Sequence, residues 1–329
     1  MIEDVLIVGA GLAGLMAAQR VQAMGKTAVI LEKAPTVGGR LATWPLGSGQ
    51  ADAGAQFFTV REPEFQKFVS DWQEKELVFE WSRGWADGSL LDGAEDGFPR
   101  YAAKAGMTTV AQHLAQNLTV HVQTELVEIK QIGNGWEVVT GDGRSYKVPA
   151  LILTPPVPQS LALLDAGDVP LTANDRTALE KIEYAPSLTG LFWIEGGVML
   201  PPPGAIQQPN ETISWIADNQ QKGVSPKATI LTAQANPTVS QLWYEAPNNE
   251  LLGMFVGELR PFLHKNSTIK AHHIHRWRYA LPTVLHPQRT LLAANLPPLA
   301  FAGDAFNGPR VEGAVLSGLT AVKLFIPSK

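Results

Sequence analysis

The sequence contains no cysteine. That absence excludes disulfides, thiolate metal sites, iron–sulfur clusters, a cysteine nucleophile and a flavin attached through cysteine, and it suits a reducing, cytoplasmic setting. An excess of positive charge is missing too. Lys and Arg number 26 against 31 Asp and Glu, a formal net charge of −5, so neither nucleic acid nor an anionic membrane surface is expected as partner. The most apolar early stretch, Val5 to Ala18, follows Glu3 and Asp4 and is interrupted by three glycines, unlike a signal peptide or a membrane span. Neither a Gly-x-Ser-x-Gly elbow nor a Gly-x-x-x-x-Gly-Lys-Ser/Thr loop occurs, which leaves serine hydrolysis and P-loop phosphoryl transfer without their signatures. Internal repeats of fixed period and low-complexity tracts are also lacking.

What is present is a chain of 329 residues, 45% hydrophobic, enough for a large core and roughly two domain-sized units. Val5 to Val8 is an apolar run ended by Gly9-Ala10-Gly11, Leu12 to Met24 carries apolar residues on a recurring face, and Thr27 to Leu31 is a second run ending at Glu32. The reading is strand, tight turn, helix, strand: a βαβ unit of the doubly wound class. Within Gly9-x-Gly11-x-x-Gly14 the first glycine permits the turn, the second admits a pyrophosphate to the backbone, and the third allows close helix–strand packing. Glu32, 18 residues after Gly14, is placed to accept hydrogen bonds from a ribose. Leu12, Ala13 and Lys33 flank these positions and join the candidate cofactor contacts. This motif reads only the adenosine diphosphate half shared by NAD and FAD.

Two further features favour FAD. Gly38-Gly39-Arg40 brings a paired glycine past the pyrophosphate and an arginine able to bridge its oxygens. Phe301-Ala302-Gly303-Asp304 reads as a short strand ending in a carboxylate suited to a ribityl hydroxyl. Val311-Glu312-Gly313-Ala314 then opens an apolar helix reaching Phe325, whose positive N-terminus would face charge developing on a reduced flavin.

Between these ends, Leu118 to Ile129, Trp136 to Val139 and Ser145 to Thr154 read as strands joined by the turns Gly133-Asn134-Gly135 and Gly141-Asp142-Gly143. Pro155-Pro156-Val157-Pro158 is expected to stop regular structure, and Pro201-Pro202-Pro203-Gly204 to break it again. The expected fold is α/β: a Rossmann-type FAD-binding domain (1–60, 105–160, 270–329) with a discontinuous α+β substrate domain (61–104, 161–269) containing a mixed sheet. His272-His273-x-His275 has no neighbouring carboxylate to complete a metal shell and is flanked by Arg276 and Arg278, so solvated strand residues are expected and no metal.

The sequence resembles the flavin amine-oxidase superfamily in its glycine-rich βαβ unit, Glu32 and Gly38-Gly39-Arg40. More narrowly it resembles the renalase family in Asp52-Ala53-Gly54-Ala55-Gln56-Phe57-Phe58-Thr59, Phe98-Pro99-Arg100-Tyr101 with Gly106-Met107, Trp215 to Asn219 with Lys222, His275 to Pro282, and Phe301 to Asp304. The resemblance runs along nearly the whole chain. It implies non-covalent FAD, with Gln56 near the isoalloxazine, Val127 near the adenine, and Ala55 and Thr154 among the cofactor contacts. It also implies a small substrate, a 2- or 6-dihydro isomer of NAD(P) oxidised to NAD(P)+, with O2 as acceptor and H2O2 as product. The hydride passes directly to flavin N5, so no catalytic acid or base is assigned. Gln56, Phe57, Phe58, Thr59, Trp277 and Tyr279 are the expected substrate contacts, the aromatics as flat walls, with Arg100 and Arg310 for sugar-phosphate groups. The alternatives are an oxidase or dehydrogenase of amines or apolar polycyclic substrates, and a non-catalytic flavin-binding redox protein. A monomer or weak dimer is expected.

Overall fold

The computed structural model describes residues 3–87 and 94–325. Val5–Val8 (β1), Leu12–Ala23 (α1) and Ala28–Leu31 (β2) form the expected opening unit. A 3-10 turn at Gly39–Leu41 leads to the hairpin Thr43–Leu46 (β3) and Gly49–Asp52 (β4), helix Pro63–Glu74 (α2), a second hairpin, Val78–Trp85 (β5) and Ala94–Ala103 (β6), and helix Thr108–Ala115 (α3). Next come Thr119–His121 (β7), Leu126–Ile132 (β8), Gly135–Thr140 (β9), Ser145–Val148 (β10) and Leu151–Leu153 (β11). Helices Val157–Ala166 (α4) and Ala173–Glu180 (α5) precede Glu183–Glu195 (β12), Ala205–Gln207 (β13), Ile213–Asp218 (β14) and Thr229–Ala235 (β15). Pro237–Leu242 (α6), Asn248–Leu259 (α7), Thr268–Val284 (β16), Leu291–Leu292 (β17), Leu299–Phe301 (β18) and Val311–Phe325 (α8) follow.

The central sheet has the order β17-β18-β11-β1-β2-β7, parallel except for β17 against β18. Strands β1, β2, β11 and β18 are buried throughout, which is why they read as continuous apolar runs and not as alternation. One face packs on α1, α3 and α8 through Leu15, Met16, Val110, Val315 and Val322. The other packs on the antiparallel sheet β10-β9-β8 and on α4, through Ile129, Trp136, Val138, Leu161 and Leu164. A separate antiparallel sheet, β13-β14-β15-β12-β16, sets Ile216, Leu231 and Phe192 against Leu251 and Phe255 of α7. No helix among the described residues is long and apolar enough to cross a membrane.

The structure corrects several expectations. The run Leu118 to Ile129 is two strands in different sheets, β7 and β8, because Gln123, at φ +50°, reverses the chain between them. Ser145 to Thr154 likewise divides into β10 and β11 at Pro149. Pro155 and Pro156 lie outside regular structure as expected, but Val157 and Pro158 already open α4, where the missing N–H of Pro158 has no intrahelical partner to lose. The boundary expected at 270 falls inside β16, and that expected at 161 falls inside α4. Leu161, Leu164, Val169, Leu179 and Ile182 pack into the core beneath the parallel sheet, and Phe65, Val69 and Trp72 of α2 pack with α1 and α8.

Candidate active site

Two confluent cavities open where β1, β11 and β18 end, at the carboxyl edge favoured for ligands in open parallel sheets. Gly11, Arg40, Thr154 and Trp277 line both.

The outer cavity, of about 830 Å³, is lined by Gly9, Glu32, Lys33, Gly39 and Val127 among others. Glu32 is fixed at both oxygens: Oε2 accepts from Ala10 N at 2.7 Å and Oε1 from Ala34 N at 2.7 Å. Each oxygen retains a lone pair for a ribose hydroxyl. Gly14 lies behind the turn and off the cavity; a Cβ there would stand 2.0 Å from the Gly9 carbonyl oxygen. Its role is therefore the close helix–strand approach read from the sequence. Thr154 donates its hydroxyl to the Val8 carbonyl at 2.6 Å, tying β11 to β1 at the cavity floor.

The inner cavity, of about 700 Å³, is bounded on the parallel-sheet side by Leu12, Ala13, Ala55, Gly303, Asp304, Val311 and Ala314. Phe57, Thr59, Arg100, Trp277 and Arg310 contribute to the remaining wall. Arg40 and Asp304 form a bidentate pair, with Nη1–Oδ2 at 2.8 Å and Nη2–Oδ1 at 2.6 Å. Arg40 also donates to the carbonyls of Tyr279 and Ala280. Burial works against the guanidinium charge, and Asp304 more than restores it, so the Arg40 pKa lies above its ordinary value. Arg40, expected from the sequence to bridge pyrophosphate oxygens, lines both cavities and is held there by a carboxylate of matching fork geometry.

Cross-strand register aligns Gln207, Trp215, Gln234, Thr189 and His275 in one row across the five-stranded sheet. Gln207 and Gln234 line the inner cavity and His275 the outer one. Buried polar atoms without a partner gather on or near this row: Thr189 Oγ1, Trp215 Nε1, Trp85 Nε1, Gln56 Oε1 and His273 Nε2. Such atoms are expensive in a closed core, although the residues that carry them line neither cavity.

Several sequence-predicted residues stand elsewhere. Gln56 is buried beneath the cavity, donating to the carbonyls of Asp52 and Gly54 at 2.7 and 3.0 Å. Phe58 lines the inner cavity but belongs mainly to the core, stacked on Tyr101 and edge-on to Phe65 and Trp72. Tyr279 lines the outer cavity, against Tyr184. Glu312 and Gly313 line neither cavity: the Glu312 carboxylate accepts from the amides of Arg61 and Glu62, and Gly313 packs on the Gly308 carbonyl. His272 is exposed as expected, whereas His273 and His275 are partly buried; both pack on Trp44, the first stacked with centroids 4.7 Å apart. Burial, aided by His273, lowers the His275 pKa from 6.5 to about 4.

The description "Flavin containing amine oxidoreductase" belongs to the family model that matches residues 80–325, and residues 7–72 match an NAD(P)-binding Rossmann-like domain. The chain belongs to the flavin-containing amine oxidoreductases. Mouse renalase is 25% identical over 340 residues, covering 97% of this chain and 98% of the relative. Hydroxyneurosporene desaturase of Cereibacter sphaeroides is 33% identical over 102 residues, 28% of this chain and 20% of the relative. A redesigned putrescine oxidase superposes with a TM-score of 0.74 at 15% identity, over 99% of both chains. Cyclohexylamine oxidase from Brevibacterium oxydans gives 0.71 at 13% identity, again over 99% of both.

This flavin-containing amine oxidoreductase has FAD as its cofactor, and the residues present fit it. A Cβ at Gly11 would meet nothing within 4 Å, so the glycine turn borders open space, and the first-turn amides of α1 have no intrahelical acceptor there. Gly9, Gly11, Glu32 and Lys33 would hold the adenosine half, and Leu12, Ala13, Ala55, Gly303 and Ala314 border the room for the flavin half. Sequence reasoning missed Arg61, Gln207 and Gln234 as lining residues and the buried pair of Asp52 with Lys222. Neither β13 nor β15 alternates in burial, so the glutamines carry no local signal and reach the cavity only through the sheet register.

Proposed function

We propose that this chain is an FAD-dependent oxidase of wrongly reduced dihydronicotinamide dinucleotides, converting 2- and 6-dihydro isomers of NAD(P) to NAD(P)+ and reducing O2 to H2O2. The observation that carries this reading is electrostatic. Among the described residues, Asp304 is the one carboxylate lining the inner cavity, and Arg40 occupies it from 2.6 and 2.8 Å. A protonated amine would find no counter-charge there, whereas a neutral dihydropyridine bearing phosphates meets Arg100 and Arg310 in the same lining. The end-to-end likeness to mouse renalase supports the same choice.

FAD, when bound, accepts the hydride and returns the electron pair to oxygen. The protein's part is placement. Phe57 and Trp277 offer flat faces to a nicotinamide ring, and Trp277 is held by its indole N–H on the Ala53 carbonyl at 2.9 Å. Loss of hydride from the dihydropyridine leaves an aromatic pyridinium, so no side chain needs to take a proton from carbon. The test is anaerobic rapid mixing of the FAD-loaded protein with 2- and 6-dihydro isomers, ordinary β-NADH and simple amines. Rapid bleaching by the isomers, with peroxide formed on readmitting oxygen, is expected; bleaching by amines alone would overturn the reading.

A further inference from the structure

We propose that Arg61 and Arg310, which line the same cavity and are linked through Glu312, form a phosphate-binding subsite at the rim of the inner cavity. Both arginines line that cavity and both are exposed. They come from distant parts of the chain, and one carboxylate joins them. Glu312, in the first turn of α8, accepts from the backbone N–H of Arg61 at 2.9 Å and of Glu62 at 2.8 Å, and its side chain is buried. The segment carrying Arg61 is thereby pinned two residues from Arg310 in sequence.

The acids that would ordinarily quench this pair are all engaged. Glu312 is used by the two amides, Glu62 turns to Arg289 at 3.3 Å, and Asp304 is bound to Arg40. Among the described residues no carboxylate lies within ion-pair distance of Arg61 or Arg310. A chain of net charge −5 thus presents two uncompensated guanidinium groups on one cavity rim, beside the positive end of a 15-residue helix. Planar forks of this kind match phosphate oxygens bidentately, and two of them on one cavity wall suit a group that carries more than one negative charge.

The inference rests on the proposed function for the identity of the phosphate, as that of a dihydronicotinamide nucleotide, but the subsite is testable without turnover. Isothermal titration of the FAD-loaded protein with inorganic pyrophosphate is expected to show binding, weakened about tenfold or more by Arg61→Ala and by Arg310→Ala and partly restored by Arg61→Lys. Glu312→Ala should weaken it through the freed segment, while Glu312→Gln, which keeps the accepting oxygen, should restore it. With substrates, Arg61→Ala should collapse the KM preference for dihydronicotinamide mononucleotide over the unphosphorylated riboside, leaving kcat for the mononucleotide within about twofold. No pyrophosphate binding by the loaded wild type, or equal binding by the arginine variants, overturns the subsite. Failure of both nucleotides to reduce the flavin, with pyrophosphate binding intact, overturns the substrate reading and leaves the subsite standing.

Discussion

Lys222 Nζ lies 2.6 Å from Asp52 Oδ2, with both side chains shut off from solvent. The pair joins the β3–β4 hairpin to the turn after β14. Asp52 also accepts from Thr43 Oγ1 at 2.6 Å and Met107 N at 2.8 Å, and Lys222 stands over Trp81 at 4.7 Å. Burial draws the Lys222 pKa below its ordinary value against the opposing pull of Asp52. Removing one partner leaves a charge with nowhere to go. Lys222→Met and Asp52→Asn are each expected to destabilise the fold by about 3–5 kcal/mol, with the double variant less damaging than their sum. Denaturant unfolding of the four proteins measures this; additive losses would mean the pair is not coupled.

That pair also marks where reading the sequence stops. The dinucleotide half was legible because its parts are local: a turn needing glycine, a helix start and an acid at a strand end lie between Gly9 and Glu32. The side-chain partners of Glu312 were hidden for the opposite reason. Its place at the start of α8 suggested a cofactor contact, yet its partners, the amides of Arg61 and Glu62, lie some 250 positions earlier. Asp52 and Lys222 each stood in a segment noted for its resemblance, but the contact spans 170 positions and has no periodicity to betray it. Gln207 and Gln234 became neighbours of the cavity only through the register of β13, β14 and β15. Local backbone demands are written in neighbouring residues, whereas side-chain meetings between distant strands are decided by packing.

Gly14→Ala tests the closeness of α1 to the phosphate turn. The added methyl would meet the Gly9 carbonyl oxygen at 2.0 Å, and a backbone atom cannot step aside without moving the turn itself. A loss of about 1–3 kcal/mol in stability is expected, together with purification largely free of flavin. The ratio of flavin to protein absorbance decides it; full flavin content would show that the helix can retreat.

Arg40→Ala should change substrate preference as well as flavin retention. Without the guanidinium, Asp304 remains in the inner cavity as a carboxylate with no fork to satisfy it, at a cost of about 1–3 kcal/mol. A cationic amine then gains the counter-charge that the wild-type cavity withholds. Inhibition by simple amines is expected to be weak in the wild type and to strengthen several-fold in Arg40→Ala but not in Arg40→Ala/Asp304→Asn. Equal inhibition of all three proteins would remove the electrostatic argument against amine substrates.

His275 gives the fold a predictable response to acid. It packs between Trp44 and Trp277, with centroids at 5.0 and 4.1 Å, and its neighbours His272 and His273 offer no negative charge. Burial holds the folded-state pKa at about 4, against 6.5 for an unhindered histidine. Between those values the unfolded chain binds the proton and the folded one does not, so stability rises with pH. The contribution is fully present above pH 6.5 and is lost as the pH falls through 6.5 towards 4. His275→Phe keeps a ring between the two tryptophans and removes the titration. Its Tm should therefore fall less steeply than that of the wild type from pH 6.5 to 4, with the two curves running parallel from pH 7 to 8. Identical slopes across the acid range would mean that His275 is protonated in the folded state, and that the Trp44–His275–Trp277 stack admits a charge.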